Sequence, residues 1–164
     1  MPNGENTQYL TFTLDDEQYA VDVVKVREVL EVPKLTRIPS MPSFMQGVIN
    51  IRGSVVPVIS LRSKFGMAQS ERTVDTSIIV MDIEKHDETL TVGCLADSVQ
   101  EVIEIDPSSI EPAPRLGTKV ETTFISGIGK KGEEFIIILD IDRVFRTDDL
   151  PVGLDHAVIN DRTP

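Results

Sequence analysis

The sequence predicts an all-β fold of two similar small barrels packed on a shared hydrophobic core, with short helices. Three observations lead there. Period-2 runs rich in valine and isoleucine dominate the chain, and these are strand formers. The two halves of the chain repeat one another. Each half holds about five short strands, and a sheet that small leaves open edges unless it curls closed. Neither half alone buries much core, so the two should meet along an apolar seam.

The elements follow in order. Tyr9–Leu14 alternates as YLTFTL, and DDEQ turns the chain back. Tyr19–Val32 continues the pattern over a long reach, with Val23, Val24, Val26, Val29 and Val32 more numerous than one sheet face needs. Most of these valines read as core; the surplus is open to exposure or to lining the seam, and a strand alternating valine with charge at a sheet edge equally suits a recognition surface. Pro33, Pro39 and Pro42 break the ladder, because proline has no N–H to donate. Gly47–Ile51 and Ser54–Ile59 form a hairpin turned at Arg52–Gly53. Ser60 caps a short helix, Leu61–Phe65, that stops at Gly66. MAQSERTVD, residues 67–75, is a polar connector. Ser77–Ile83 and Thr89–Leu95 pair around EKHDE, and Val99–Ile105 alternates again. Pro107, Pro112 and Pro114 mark a second proline bridge. Phe124–Ile128 and Glu134–Leu139 flank GKKG, and Asp140 caps Ile141–Thr147. The tail from Asp148 is polar.

The repeat is legible by eye. VREVLEV (26–32) matches VQEVIEI (99–105), which sets Glu28 over Glu101. GVINIRGSVVPVISLRSKF (47–65) lies without gaps on GIGKKGEEFIIILDIDRVF (127–145). DEQYAV (16–21) pairs with DETLTV (87–92). A period of half the chain indicates two like subdomains, not a solenoid. In this register Gly132 stands where Arg52 stands, so arginine reads as the asymmetric part of the first hairpin.

Composition removes several functions. The 164 residues carry a net charge of −11 and no basic run longer than Lys130–Lys131, which argues against nucleic acid and against an anionic membrane surface. The start MPNGENTQ has no signal-peptide pattern, and no apolar run reaches spanning length; the expectation is a cytoplasmic protein. One cysteine, Cys94, allows no intrachain disulfide and reads as a buried, inert thiol. His86 and His156 make no metal-ligand spacing with it. GIGKKG lacks the spacing of a phosphate loop and reads as a hairpin turn. The expectation is therefore no catalytic residue, no cofactor and no metal. An enzyme or small-ligand barrel would need Cys94 and a histidine to converge in a pocket. Arg52 is an unusual turn residue, and arginine suits planar, multi-donor contacts at interfaces.

Four blocks in order, QYLTFTLDDEQYAVDVVKVREV, TRIPSMPSFMQGVINIRGSVVPVISLRSKFG, TVGCLADSVQEV and ISGIGKKGEEFIIILDIDRVF, resemble the CheW family of bacterial chemotaxis coupling proteins. The likeness covers about residues 8–147. It implies two five-stranded SH3-like barrels, here residues 8–66 and 76–147 with a tail at 148–164. The family also allows end strands to cross between barrels, so these bounds are approximate. It implies no catalysis. The implied role is an adaptor coupling chemoreceptors (methyl-accepting chemotaxis proteins), through their cytoplasmic signalling tip, to the regulatory domain of the histidine kinase CheA. Ring contacts between copies, and association with membrane-bound arrays without membrane insertion, come with it. Receptor contacts carried onto matching positions are Val26, Glu28, Gly47, Arg52, Gly93, Val99 and Val102, in the groove between barrels; kinase-contact residues are not assigned. An alternative is a CheW-like adaptor of another chemosensory system, serving surface motility, development or array positioning. Two departures stand out: Ser60 where the family usually has Asp, and Leu30–Glu31 where members often have Arg-Gly.

Overall fold

The computed structural model describes residues 7–113 and 122–145. Pro114, Thr147 at the expected helix end, the tail from Asp148 and His156 lie outside the described residues. Ten strands are β1 (Thr7–Leu14), β2 (Glu17–Asp22), β3 (Val26–Glu31), β4 (Met45–Ile51), β5 (Ser54–Ser60), β6 (Ser77–Lys85), β7 (Glu88–Ala96), β8 (Ser98–Ile105), β9 (Ile125–Lys131) and β10 (Glu134–Leu139). One-turn helices α1 (Leu61–Lys64) and α2 (Ile141–Val144) follow β5 and β10. Ser60 and Asp140 cap them as expected, each accepting from the backbone N–H three residues on.

Local chemistry sets the hairpins. Asp15–Asp16, Arg52–Gly53 and His86–Asp87 all sit at positive φ between paired strand ends, the pattern of type I′ loops whose twist matches the strands. The fourth loop, Gly132–Glu133, has positive φ at glycine alone, the pattern of a type II′ loop.

The strands make two five-stranded sheets, in the orders β8-β1-β2-β10-β9 and β3-β6-β7-β5-β4. Each sheet therefore draws on both halves of the repeat: β1 and β2 join β8–β10, while β3–β5 join β6 and β7. The long Tyr19–Val32 strand is cut by a 3-10 turn at Val23–Lys25, capped by the Asp22 carboxylate, which accepts from the Val24 N–H. There the chain leaves the first barrel for the second, and at Asp97 it returns. Period-2 patterning defines a strand but not its neighbours, which is why sequence halves and spatial barrels differ.

The repeat survives in the hydrogen bonds. Gly47 pairs with Val58 and Gly127 with Ile138; Ile51 pairs with Ser54 and Lys131 with Glu134. Thr36 bridges to Val48 as Glu111 bridges to Ile128, so each proline bridge docks on its hairpin in the same way.

Each barrel interior is small. Tyr9, Ala20, Ile105, Ile136 and Ile138 fill the first; Ile49, Val56, Val58, Ile78 and Val80 fill the second. The larger cluster is the seam between them, with Phe12, Leu14, Tyr19, Ile59, Leu61, Phe65, Ile79, Met81, Ile83, Phe124, Ile141 and Phe145. Central strands are thus apolar on both faces, one toward a barrel interior and one toward the seam. That is why SIIVMDI and SVVPVIS read as continuous runs and not as alternation. At about 1.5–3 kcal/mol for each fully buried aliphatic or aromatic side chain, the seam supplies the larger share of stability.

Candidate docking site at the bulged edge strand

Strand β3 is short of ideal pairing by one residue. Val26 faces Met81 but Glu28 faces Val80, so Arg27 is an extra residue and the strand bulges. A bulge bends a strand and re-aims its side chains. Here it directs Glu28 across the barrel mouth to the β4–β5 turn, where its Oε2 accepts from Arg52 Nη2 at 2.5 Å. The Arg52 side chain stays 74% exposed, and Glu28 is 25% exposed. Arg52 sits at φ 50, so the turn itself holds a non-glycine residue in left-handed backbone. Gly53 N–H donates to Asn50 Oδ1 at 2.8 Å and closes the tip.

Glu28 and Arg52 border a concavity of about 460 Å³. Its walls also hold Arg27, Val55, Pro57 and Leu90, all from the second sheet. Arg27 reaches Thr91 Oγ1 at 3.2 Å and Asp82 at 3.6 Å. Each guanidinium group at this rim thus faces one carboxylate, Arg52 against Glu28 and Arg27 against Asp82.

The other sequence-predicted residues fall into two groups. Val26 is half-buried and packs on the seam; Val99 does the same from β8. Val102, also on β8, is 49% exposed. Gly47 and Gly93 are buried, and their contribution is the room they leave. A Cβ on Gly47, which has φ 142, would stand 2.7 Å from the Thr36 carbonyl oxygen; one on Gly93 would stand 2.8 Å from Ile78 Cγ2. Of the seven, then, the fold brings Glu28 and Arg52 into direct contact, and these two line the concavity.

The valine-rich stretch departs from the expected core. None of Val23, Val24, Val26, Val29 and Val32 is fully buried, and Val24 is 79% exposed. Val23 and Val24 lie in the 3-10 turn, Val26 and Val29 on the edge strand β3, and Val32 just past its end. Val29 and Val102 are equivalent in the repeat, and both are exposed.

Sequence reasoning missed Lys131. It pairs with Glu101, the repeat equivalent of Glu28, on the bulged strand β8. Its signal was present in GKKG but fell one position away from the arginine in the alignment.

Cys94 is fully buried, and burial pushes its thiol well above the ordinary range. Its neighbours are apolar, as expected of an inert thiol. Among the described residues no group of three or more His, Cys, Asp or Glu side chains is placed to hold a metal, and no helix is long and apolar enough to cross a membrane.

A family model described as the CheW-like domain matches residues 8–149. The chain belongs to the CheW-like family. It is similar to the chemotaxis protein CheW of Klebsiella aerogenes, at 33% identity over 87% of this chain and 84% of that protein. The CheW of Helicobacter pylori is also 33% identical, over 89% of this chain and 86% of that one. Among solved structures, the crystal structure of the scaffolding protein TtCheW from Thermoanaerobacter tengcongensis superposes with a TM-score of 0.77 at 35% identity, covering 88% of this chain and 90% of that one. The fold is accordingly that of the two SH3-like barrels expected for the family. These relatives are named as chemotaxis and scaffolding proteins, not as enzymes.

Proposed function

We propose that this chain is a non-enzymatic chemotaxis adaptor that couples the cytoplasmic signalling tip of chemoreceptors to the regulatory domain of the histidine kinase CheA. It would work in the cytoplasm beside membrane-bound arrays. Family membership supports the adaptor role. The observation that carries the site is the Arg52–Glu28 pair on the rim of the concavity. The bulge fixes Glu28, Glu28 anchors one guanidinium nitrogen, and the remaining donors of an exposed Arg52 face outward. A held guanidinium loses less freedom on binding than a loose side chain, which is how arginine becomes a docking anchor. Receptor recognition by Val26, Val99 and Val102 extends this reading onto both crossing strands.

The test is co-purification with a receptor signalling fragment and the CheA regulatory domain, using wild type, Arg52→Glu and Lys131→Glu. Arg52→Glu should weaken receptor capture at least tenfold, because it sets two carboxylates together at the rim. Its melting temperature should stay within a few degrees of wild type, since the pair is exposed. Lys131→Glu should bind receptor as wild type does. Equal loss in both variants, or normal capture by Arg52→Glu, sinks the site assignment. A second reading keeps the adaptor but assigns it to another chemosensory system. It is favoured by Glu31, exposed at the end of β3 where family members often carry Arg-Gly.

A further inference from the structure

The chain crosses between barrels twice, at Val23–Lys25 before β3 and at Asp97 before β8. Each crossing carries one charged residue, and each is gripped by the helix that closes the other half of the repeat. At the second crossing, Arg62 of α1 holds Asp97 in a two-pronged contact, Nε to Oδ1 at 3.0 Å and Nη2 to Oδ2 at 2.6 Å. Arg62 also donates to the Ala68 carbonyl at 2.8 Å and lies 3.6 Å from Asp15 of the β1–β2 turn. The Asp15 N–H donates to Asp97 Oδ2 at 2.7 Å, and the Asp97 N–H donates to the Thr13 carbonyl at 2.9 Å. At the first crossing, Asp142 of α2 accepts from Lys25 Nζ at 2.8 Å and from the Glu84 N–H of β6 at 2.9 Å.

Arg62 and Asp142 are the second residues of α1 and α2, and they align in the repeat. Their charges are opposite, and so are those of the crossing residues they hold. The two grips are one device used twice with the signs exchanged. Both are partly buried, and the Arg62 side chain is only 13% exposed. The strands that start at these crossings are β3, with Val26 and Glu28, and β8, with Val99 and Val102.

We propose that Arg62 and Asp142 are positioning residues that pin the two crossings and thereby fix where β3 and β8 present their docking side chains. The seam is apolar and non-directional, so it holds the barrels together without dictating the path of a three-residue turn on its border. Directional, charge-assisted bonds to the crossing supply that constraint. The inference rests on the coupling function for its consequence, but not for its local effect.

Hydrogen exchange of the free protein tests the local effect. Arg62→Met should speed exchange at residues 97–101, and Asp142→Asn at residues 23–28, each roughly tenfold, the size of one lost charge-assisted bond. The core of β6 should be unchanged in both. Binding of the receptor fragment should fall about five- to tenfold in each variant. The conservative Arg62→Lys, which keeps a donor and a positive charge facing Asp97, should recover part of the slow exchange and binding, and it decides the matter if Arg62→Met does not fold. Unchanged exchange at the crossings overturns the proposal. So does faster exchange with wild-type binding, or an Arg62→Lys variant that exchanges as fast as Arg62→Met. If wild type itself fails to bind the receptor fragment, the coupling function falls, while the exchange result still judges the grips.

Discussion

The two barrels close their mouths with the same device and different cations. In the second barrel Arg52, on the turn itself, meets the bulged Glu28; in the first, Lys131, one residue before the turn, meets the bulged Glu101. Both mouths therefore carry a cation–carboxylate pair at the hairpin end, with arginine on the turn in one and lysine on the strand in the other. What lysine does not reproduce is a planar guanidinium held in left-handed backbone on the rim of a concavity. The arginine is thus not foreign to the barrel, as its alignment with Gly132 suggests. Its structural task is shared, and its position and shape are what distinguish the second mouth.

The largest expected effects fall on the paired glycines where the proline bridges dock. Gly47→Ala places a Cβ against the Thr36 backbone and forces alanine to a φ it rarely adopts. It should destabilise by about 2–4 kcal/mol in urea unfolding. Gly127→Ala meets chiefly the Ile110 side chain at ordinary φ, and should cost about 1–2 kcal/mol. Equal losses would mean that the two dockings are mechanically alike. An acid titration of stability compares the crossings next. Burial raises the Asp97 carboxyl, but the Arg62 hydrogen bonds and charge with the Asp15 N–H outweigh it and hold it below the ordinary 3.8. A depressed carboxylate contributes stability that is present above its unfolded value and lost as pH falls through its folded one. Wild type should therefore lose stability below about pH 4, and Asp97→Asn should lose less over the same window. A parallel decline in both would assign the acid sensitivity elsewhere. The smallest effect is Arg52→Asn. Asparagine tolerates left-handed turns and the lost ion pair is exposed, so stability should stay within about 0.5 kcal/mol of wild type, on the stabilising side. A clear loss would give the Arg52–Glu28 pair a structural weight that its exposure denies.

Strands, turns and caps were legible because their causes are local. DDEQ, EKHDE and Arg52–Gly53 mark tight loops, and Ser60 and Asp140 cap helices whatever lies beyond them. Arg52 and Glu28 were legible as candidates, but their contact was not, since it depends on a bulge that pairing with β6 creates. The valines of residues 23–32 misled for a related reason: an edge strand and a buried strand share one composition. Arg62, Asp97, Lys25 and Asp142 gave no signal, because isolated charges reveal partners only when distant segments meet.

By itself the sequence determined the all-β class, the duplication, the hairpin turns and the capped helices, because periodicity and turn chemistry act within a few residues. Only the tertiary structure decided which strands share a barrel, that the seam outweighs either interior, and which carboxylate each cation meets. Those outcomes depend on pairing between segments as far apart as β1 and β8, and local pattern carries no record of it.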